Sequence, residues 1–133
     1  MNHLKNILVT ALFFILIFPI VSSAETNLVI NGLPTKKVMS DIEGTELVNL
    51  TEDESNSYRL LITKRGNKYV WTSREDRELI FSHSGEFYNF VEPNGAGYIR
   101  MAKAENKIFY VEHLTLGFKN ITYWGIAKEF NVD

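Results

Sequence analysis

Residues 58–72 have the sequence YRLLITKRGNKYVWT, and they indicate the fold more clearly than any other stretch of the chain. Two runs rich in β-forming residues, 58–63 and 69–72, lie on either side of Gly66-Asn67. That dipeptide is typical of a two-residue hairpin turn. We therefore predict two antiparallel strands joined by a tight turn.

The same pattern continues downstream of residue 72. Runs of aromatic and β-branched residues alternate with turn signals such as Gly85, Pro93-Asn94-Gly95 and Gly117. These signals recur about every 10–15 residues, a spacing typical of antiparallel sandwiches and small barrels. We predict an all-β fold, a single-domain antiparallel β-sandwich or small β-barrel.

Two segments leave room for a different architecture. Residues 36–50 and 110–116 contain apolar clusters that could each form a short helix, so the alternative is α+β with a dominant antiparallel sheet. Residues 25–34 predict a short strand that ends at the turn signal Asn31-Gly32, and the acidic residues 51–55 predict a solvated loop. We expect 25–57 to be an N-terminal strand and polar segment of the same domain, with the antiparallel β core at 58–133.

The first 24 residues have the features of a secretory signal peptide. Lys5 provides the positive start, residues 7–21 form an apolar run, and Ser22 and Ala24 are the small residues that precede a cleavage site. The run is shorter than the roughly 20 residues that a membrane-spanning helix needs. We predict cleavage after Ala24 and an exported protein, periplasmic or extracellular, with no membrane span after cleavage.

Composition excludes several classes of function. The chain of 133 residues has no cysteine, which excludes disulfides, thiol catalysis and cysteine-ligated metals. Without residues 1–24 its net charge is −3, and because no basic stripe is present we predict no nucleic-acid partner. We also predict no cofactor. Asn49 and Asn120 match the glycosylation acceptor pattern, which matters only in a eukaryotic secretory pathway.

Aromatic residues are the strongest functional signal. Because side chains alternate along a strand, Tyr123 and Trp124 must lie on opposite faces, so rings are expected on both faces of the sheet. Core packing explains some of these rings, and a binding surface would explain the rest. We predict a non-enzymatic binding or interaction module for a small amphipathic ligand or a protein partner. Its predicted contacts are Trp71, Tyr88, Tyr98, Arg100, Glu112 and Trp124.

An enzyme is the alternative. A small hydrolase or isomerase would use His83, His113, Glu112 and Arg100 in acid–base chemistry, which requires the two histidines to share one cleft. The histidines are 30 residues apart and belong to no recognisable ligand spacing, so we predict no metal site. A second alternative is an envelope structural or assembly subunit with an exposed edge strand, and the oligomeric state is left open.

Glu112 is expected on a buried face, because it alternates with apolar residues of the same strand. A buried carboxylate needs a cationic partner. From the sequence, the expected partner is Arg100 or Arg59.

Overall fold

A computed structural model describes residues 25–132. It is nearly all β, with 69% strand and 6% helix, which confirms the predicted fold class. Its one short helix among the described residues is α1 (Glu52–Ser57). The strands of the described residues are β1 (Thr26–Asp41), β2 (Gly44–Asn49), β3 (Leu60–Arg65), β4 (Lys68–Trp71), β5 (Arg77–Ser84), β6 (Phe87–Val91), β7 (Gly97–Ala104), β8 (Lys107–Leu116) and β9 (Lys119–Phe130).

Eight of these strands form a closed antiparallel barrel. Each strand from β3 to β8 pairs with the next in sequence, and β1 completes the ring by pairing with β3 on one side and β9 on the other. The remaining strand, β2, pairs with the second half of β1, over Lys36–Asp41, and lies outside the ring. Of the predicted β-sandwich and small β-barrel, the structure is therefore the barrel.

Strand β1 differs most from expectation. The predicted turn at Asn31-Gly32 is wrong, because the strand continues through it to Asp41. Three register shifts bend β1 so that it can pair with β3 and β9, and Pro34 lies at one of them. Gly32 is needed for close approach, because a Cβ there would lie 2.6 Å from the Tyr110 ring.

The segment between β1 and β3 also requires corrections. Residues 51–55, predicted as a loop, contribute to α1, which begins with a capping box in which Thr51 and Glu54 satisfy each other's backbone N–H groups. The possible helices at 36–50 and 110–116 are wrong as well, because these residues form the β1–β2 hairpin and β8. The predicted turns at Gly66, Gly85, Gly95 and Gly117 are confirmed, and all four glycines have positive φ.

Large side chains fill the barrel interior, as is usual for a ring of eight strands. The core includes Trp71, Phe90, Ile62, Ile99 and Met101, all fully buried. Within residues 25–132, no helix has the length and apolar character needed to cross a membrane. The predicted signal peptide and its cleavage site lie outside the described residues.

Candidate functional site

A buried ion pair lies inside the barrel. Glu112 of β8 is fully buried, and Nη2 of Arg74 lies 2.8 Å from its Oε1. Arg74 belongs to the β4–β5 connection, yet its side chain turns inward and is only 16% exposed. The predicted partners of Glu112 were wrong. Arg59 instead bonds to Asn31 and Asn56, and Arg100 lies on the outer surface.

Burial shifts the pKa values of Glu112 and of two tyrosines of the core, Tyr110 and Tyr123, and we refer to these three residues and Arg74 as the buried cluster. Burial raises the pKa of Glu112 to about 7, although the guanidinium of Arg74 favours the ionised form. Burial likewise raises the pKa of Tyr123 to about 12, and it raises the pKa of Tyr110. Arg74 contacts Glu112 as an ion pair rather than through an aligned hydrogen bond. Because these groups are packed into the core, we interpret the cluster as structural.

The structure separates the predicted ligand contacts into three environments. Trp71 and Glu112 are core residues. Tyr88 is half-buried between His83, on which it stacks, and Phe130, which it meets edge-on at 4.8 Å between ring centroids. The other three predicted contacts, Tyr98, Arg100 and Trp124, lie together on the outer surface.

The predicted acid–base residues do not come together. His83 pairs with Tyr88, and Tyr88 pairs with the buried Met101, so His83 belongs to the inner face of the sheet. His113 instead pairs with the outward-facing Tyr98. The two histidines therefore belong to opposite faces of the sheet. Glu112 is inside and Arg100 outside, so the four residues form no single cleft. In residues 25–132, no group of three or more histidine or acidic side chains is placed to hold a metal ion.

The outer surface of β1, β2 and β5–β9 carries several exposed large apolar side chains. Strand register arranges its side chains in three cross-strand rows, which together we term the outer apolar face. The first row is Ser84, Phe87, Ala102, Phe109, Ile126 and Leu33. The second row is Ser82, Asn89, Arg100, Val111, Trp124, Lys36 and Asn49. The third row is Ile80, Val91, Tyr98, His113, Thr122, Val38 and Leu47.

The exposed fractions of individual side chains show that large apolar groups on this face are accessible to solvent. Seven of its large apolar residues are between 38% and 62% exposed: Leu47, Ile80, Phe87, Val91, Tyr98, Phe109 and Trp124. The opposite side of the barrel is more polar, with Thr63, Arg65 and Lys68 at outward positions of β3 and β4. Large contiguous apolar patches on a protein surface mark interaction sites more often than isolated apolar residues do.

A groove of about 570 Å³ occupies the part of this face formed by β8, β9, β1 and β2. Trp124 and Phe109 supply its aromatic lining, and Leu47 of β2 contributes from beyond the barrel ring. A smaller depression of about 200 Å³ shares both aromatic residues and continues toward Arg100. The complete lining of the groove is Thr35, Lys36, Val38, Leu47, Phe109, Tyr110, Trp124, Gly125 and Ile126.

Sequence reasoning found Trp124 but missed Lys36, Val38, Leu47 and Phe109. The groove depends on pairing between β1 and β9, which are at opposite ends of the described chain. The only local signal was the alternation of Lys36 and Val38 with neighbouring residues, and the unrecognised strand at 36–41 concealed it.

The charged residues of the outer apolar face are both cations. The three rows contain Lys36 and Arg100 and no carboxylate. Among residues 25–132, neither cation forms an ion pair, and Arg100 bonds through Nε to the amide oxygen of Asn89. By contrast, Arg65, Lys68 and Arg77 each contact a carboxylate elsewhere.

The groove is therefore the candidate site, since it is open, largely apolar and bordered by an unpaired cation. Its volume falls within the range of about 300–1,000 Å³ found for small-molecule sites. No protein-family model, curated protein or solved structure matches the chain.

Proposed function

We propose that this protein is an exported, non-enzymatic binding module that takes a small amphipathic ligand on its outer apolar face. The groove lined by Trp124 and Phe109 carries the proposal, because it combines exposed aromatic surface with enough volume for a small molecule. The packed core and the separation of the two histidines favour binding over catalysis. Export rests on the signal-peptide features of residues 1–24.

Calorimetric titration of the mature protein with decyl maltoside, below its micelle concentration, tests the binding surface. The wild type should bind saturably, and Trp124→Ala should bind roughly tenfold more weakly because it removes a large apolar contact. Ile80→Ala is the control, since Ile80 is exposed on the same face but does not line the groove. Equal affinity of the two variants, or absence of saturable binding of decyl amphiphiles with neutral and charged head groups alike, would contradict the proposal.

Mass spectrometry of protein purified gently from its exported fraction tests export and occupancy together. A mature mass that starts at Glu25 is expected, with an additional small mass in the native spectrum that disappears on denaturation. A chain that retains residues 1–24 would contradict the export proposal. Native masses at multiples of the chain would favour the second candidate function.

That second candidate is an assembly subunit, and the position of β2 favours it. Within the described residues β2 pairs with β1 on one side only, so its other edge can accept a strand. Ile42 at the β1–β2 turn and Phe118 at the β8–β9 turn are 90% and 89% exposed, and they would add apolar contacts. Concentration-dependent dimers in sedimentation velocity would support this function, and a monomer at all concentrations would contradict self-assembly.

A further inference from the structure

We infer that the groove takes a monomeric amphiphile with one apolar chain and an anionic head group, and that Lys36 is the head-group contact. The inference rests on the proposed function and adds the chemical class of the ligand. It follows from the distribution of charge on the outer apolar face and from the position of Lys36 in the groove.

The charge pattern favours an anion. Lys36 and Arg100 are the charged residues of the three rows, and both lack a carboxylate partner within residues 25–132. A carboxylate on this face would neutralise the cations and would repel an anionic ligand, yet the rows contain none. The surface is therefore electrostatically complementary to a negative head group and opposes a positive one.

The geometry places the head group at one side of the aromatic lining. Lys36 is the direct cross-strand partner of Trp124, so its side chain starts beside the indole on the same face. A lysine can pack its aliphatic stem along an apolar surface while its ammonium remains in water. An apolar chain lying over Trp124 and Phe109 would thus bring its polar end within reach of that ammonium.

The groove fits one chain better than it fits a bilayer surface. It is a concave site with Leu47 of β2 among its walls, whereas insertion into a bilayer requires apolar groups that protrude. Ile42, the most exposed large apolar residue between positions 25 and 132, does protrude, but Asp41, Glu43 and Glu46 are exposed near it. These carboxylates would be repelled by an anionic membrane.

Three decyl amphiphiles that differ only in head group provide the test: decyl sulfate, decyl maltoside and decyltrimethylammonium, each titrated below its micelle concentration. The wild type should bind decyl sulfate roughly two- to fivefold more tightly than decyl maltoside, the size of effect typical of an exposed ion pair. The cationic amphiphile should bind most weakly. The preference for decyl sulfate should decrease as salt concentration rises.

Lys36→Gln should remove the preference for decyl sulfate, because it takes away the ammonium, so its binding of decyl sulfate should weaken more than its binding of decyl maltoside. Lys68→Gln is the matched control, since it makes the same change in net charge on β4, away from the groove. The control should retain the preference. Both side chains are exposed, so neither substitution is expected to unfold the protein.

The outcomes separate the two levels of the proposal. Equal affinity for all three amphiphiles, or a preference that survives in Lys36→Gln, overturns the anionic-ligand inference but leaves the binding function intact. Failure of all three to bind overturns the binding function as well. If the protein sediments with anionic vesicles but does not bind monomeric decyl sulfate, its ligand is a membrane surface, and the inference of a single bound amphiphile is overturned.

Discussion

At the residue scale, Glu112 shows how the barrel accommodates a charge in its core. Removing an ionised carboxylate from water costs several kcal/mol, and the attraction of one cation offsets only part of this cost. Arg74 supplies that cation from a connection outside the strands, at 2.8 Å. Burial still outweighs the attraction and raises the pKa of Glu112 to about 7. The folded protein therefore holds a proton on Glu112 more strongly than the unfolded chain does.

This difference predicts a pH dependence of stability. Between the unfolded value near 4.5 and the folded value near 7, the folded state binds more protons than the unfolded state. The contribution of Glu112 is therefore present in full below pH 4.5 and is lost as pH rises through 7, by about 3 kcal/mol at most. Glu112→Gln should flatten the curve of unfolding free energy across this window, measured by urea denaturation at several pH values.

A surface carboxylate provides the control for that series. Glu78→Gln removes an exposed group whose contact is a surface ion pair with Lys68, so it should shift the curve little and preserve its slope. If Glu112→Gln and the wild type lose stability in parallel between pH 4.5 and 7, then Glu112 is not the titrating group.

At the scale of elements, β1 and α1 depend on packing more than on local propensity. Strand β1 forms although it contains glycine and proline, because its bulges allow it to pair with β3 and β9 together. Helix α1 has six residues, too few to be stable without help. Its capping box supplies that help, and the hydrogen bonds from Thr51 also lower the pKa of Glu54.

The cap of α1 leads to a modest stability prediction. Thr51→Ala should lower the free energy of unfolding by about 1 kcal/mol, because the N–H of Glu54 loses its acceptor. Ser57→Ala is the control, since its exposed hydroxyl only donates to the Asp53 carbonyl within the helix, and it should change stability by less. Equal losses in chemical denaturation would mean that the cap contributes nothing beyond an ordinary surface hydrogen bond.

The close contact between β9 and β1 predicts a larger loss of stability. A Cβ at Gly125 would lie 2.7 Å from the Pro34 Cα and 2.7 Å from the Tyr110 ring, so the backbone would have to move. Gly125→Ala should therefore cost about 3 kcal/mol, the upper part of the range for overpacking. Gly85→Ala is the comparison, because a Cβ there meets nothing within 4 Å and the φ of +60° costs only about 1 kcal/mol. Thermal unfolding of both variants would rank them, and a smaller loss for Gly125→Ala would contradict the close approach.

At the scale of the whole molecule, the barrel has two apolar surfaces. The inner one is its core, and the outer one lies on β1, β2 and β5–β9. Burial of the first stabilises the fold, whereas exposure of the second carries a cost in solubility that a ligand or partner would remove. One tryptophan belongs to each apolar surface, since Trp71 is fully buried in the core and Trp124 is 42% exposed on the outer apolar face.

This division predicts opposite consequences for two alanine substitutions. Trp71→Ala should lose about 3–5 kcal/mol of stability, because it leaves a cavity in the core. Trp124→Ala should lose about 1 kcal/mol or less and should act on ligand affinity instead. Urea denaturation combined with decyl maltoside titration measures both effects. If Trp124→Ala unfolds the protein as readily as Trp71→Ala, the indole belongs to the core and the proposed site is wrong.

Local patterns of the sequence were sufficient for the fold class. Gly66, Gly85 and Gly95 mark turns because a positive φ suits glycine, and this holds whatever the rest of the chain does. Alternation along β9 was likewise enough to place Tyr123 and Trp124 on opposite faces, as the structure confirms. Such features involve neighbouring residues, so they can be predicted before any tertiary contact is known.

The candidate site was decided by tertiary structure. Closure of the barrel brings Lys36 beside Trp124, and β2 adds Leu47 to the same groove, through pairings that no local pattern specifies. The partner of Glu112 was misjudged for the same reason, since Arg74 reaches it from a charged connection that resembles an exposed loop. Sequence alone determined an antiparallel β protein rich in aromatic residues. Which rings form the core and which remain exposed for a ligand was determined by strand register around a closed ring, because a shift of one residue exchanges the two faces.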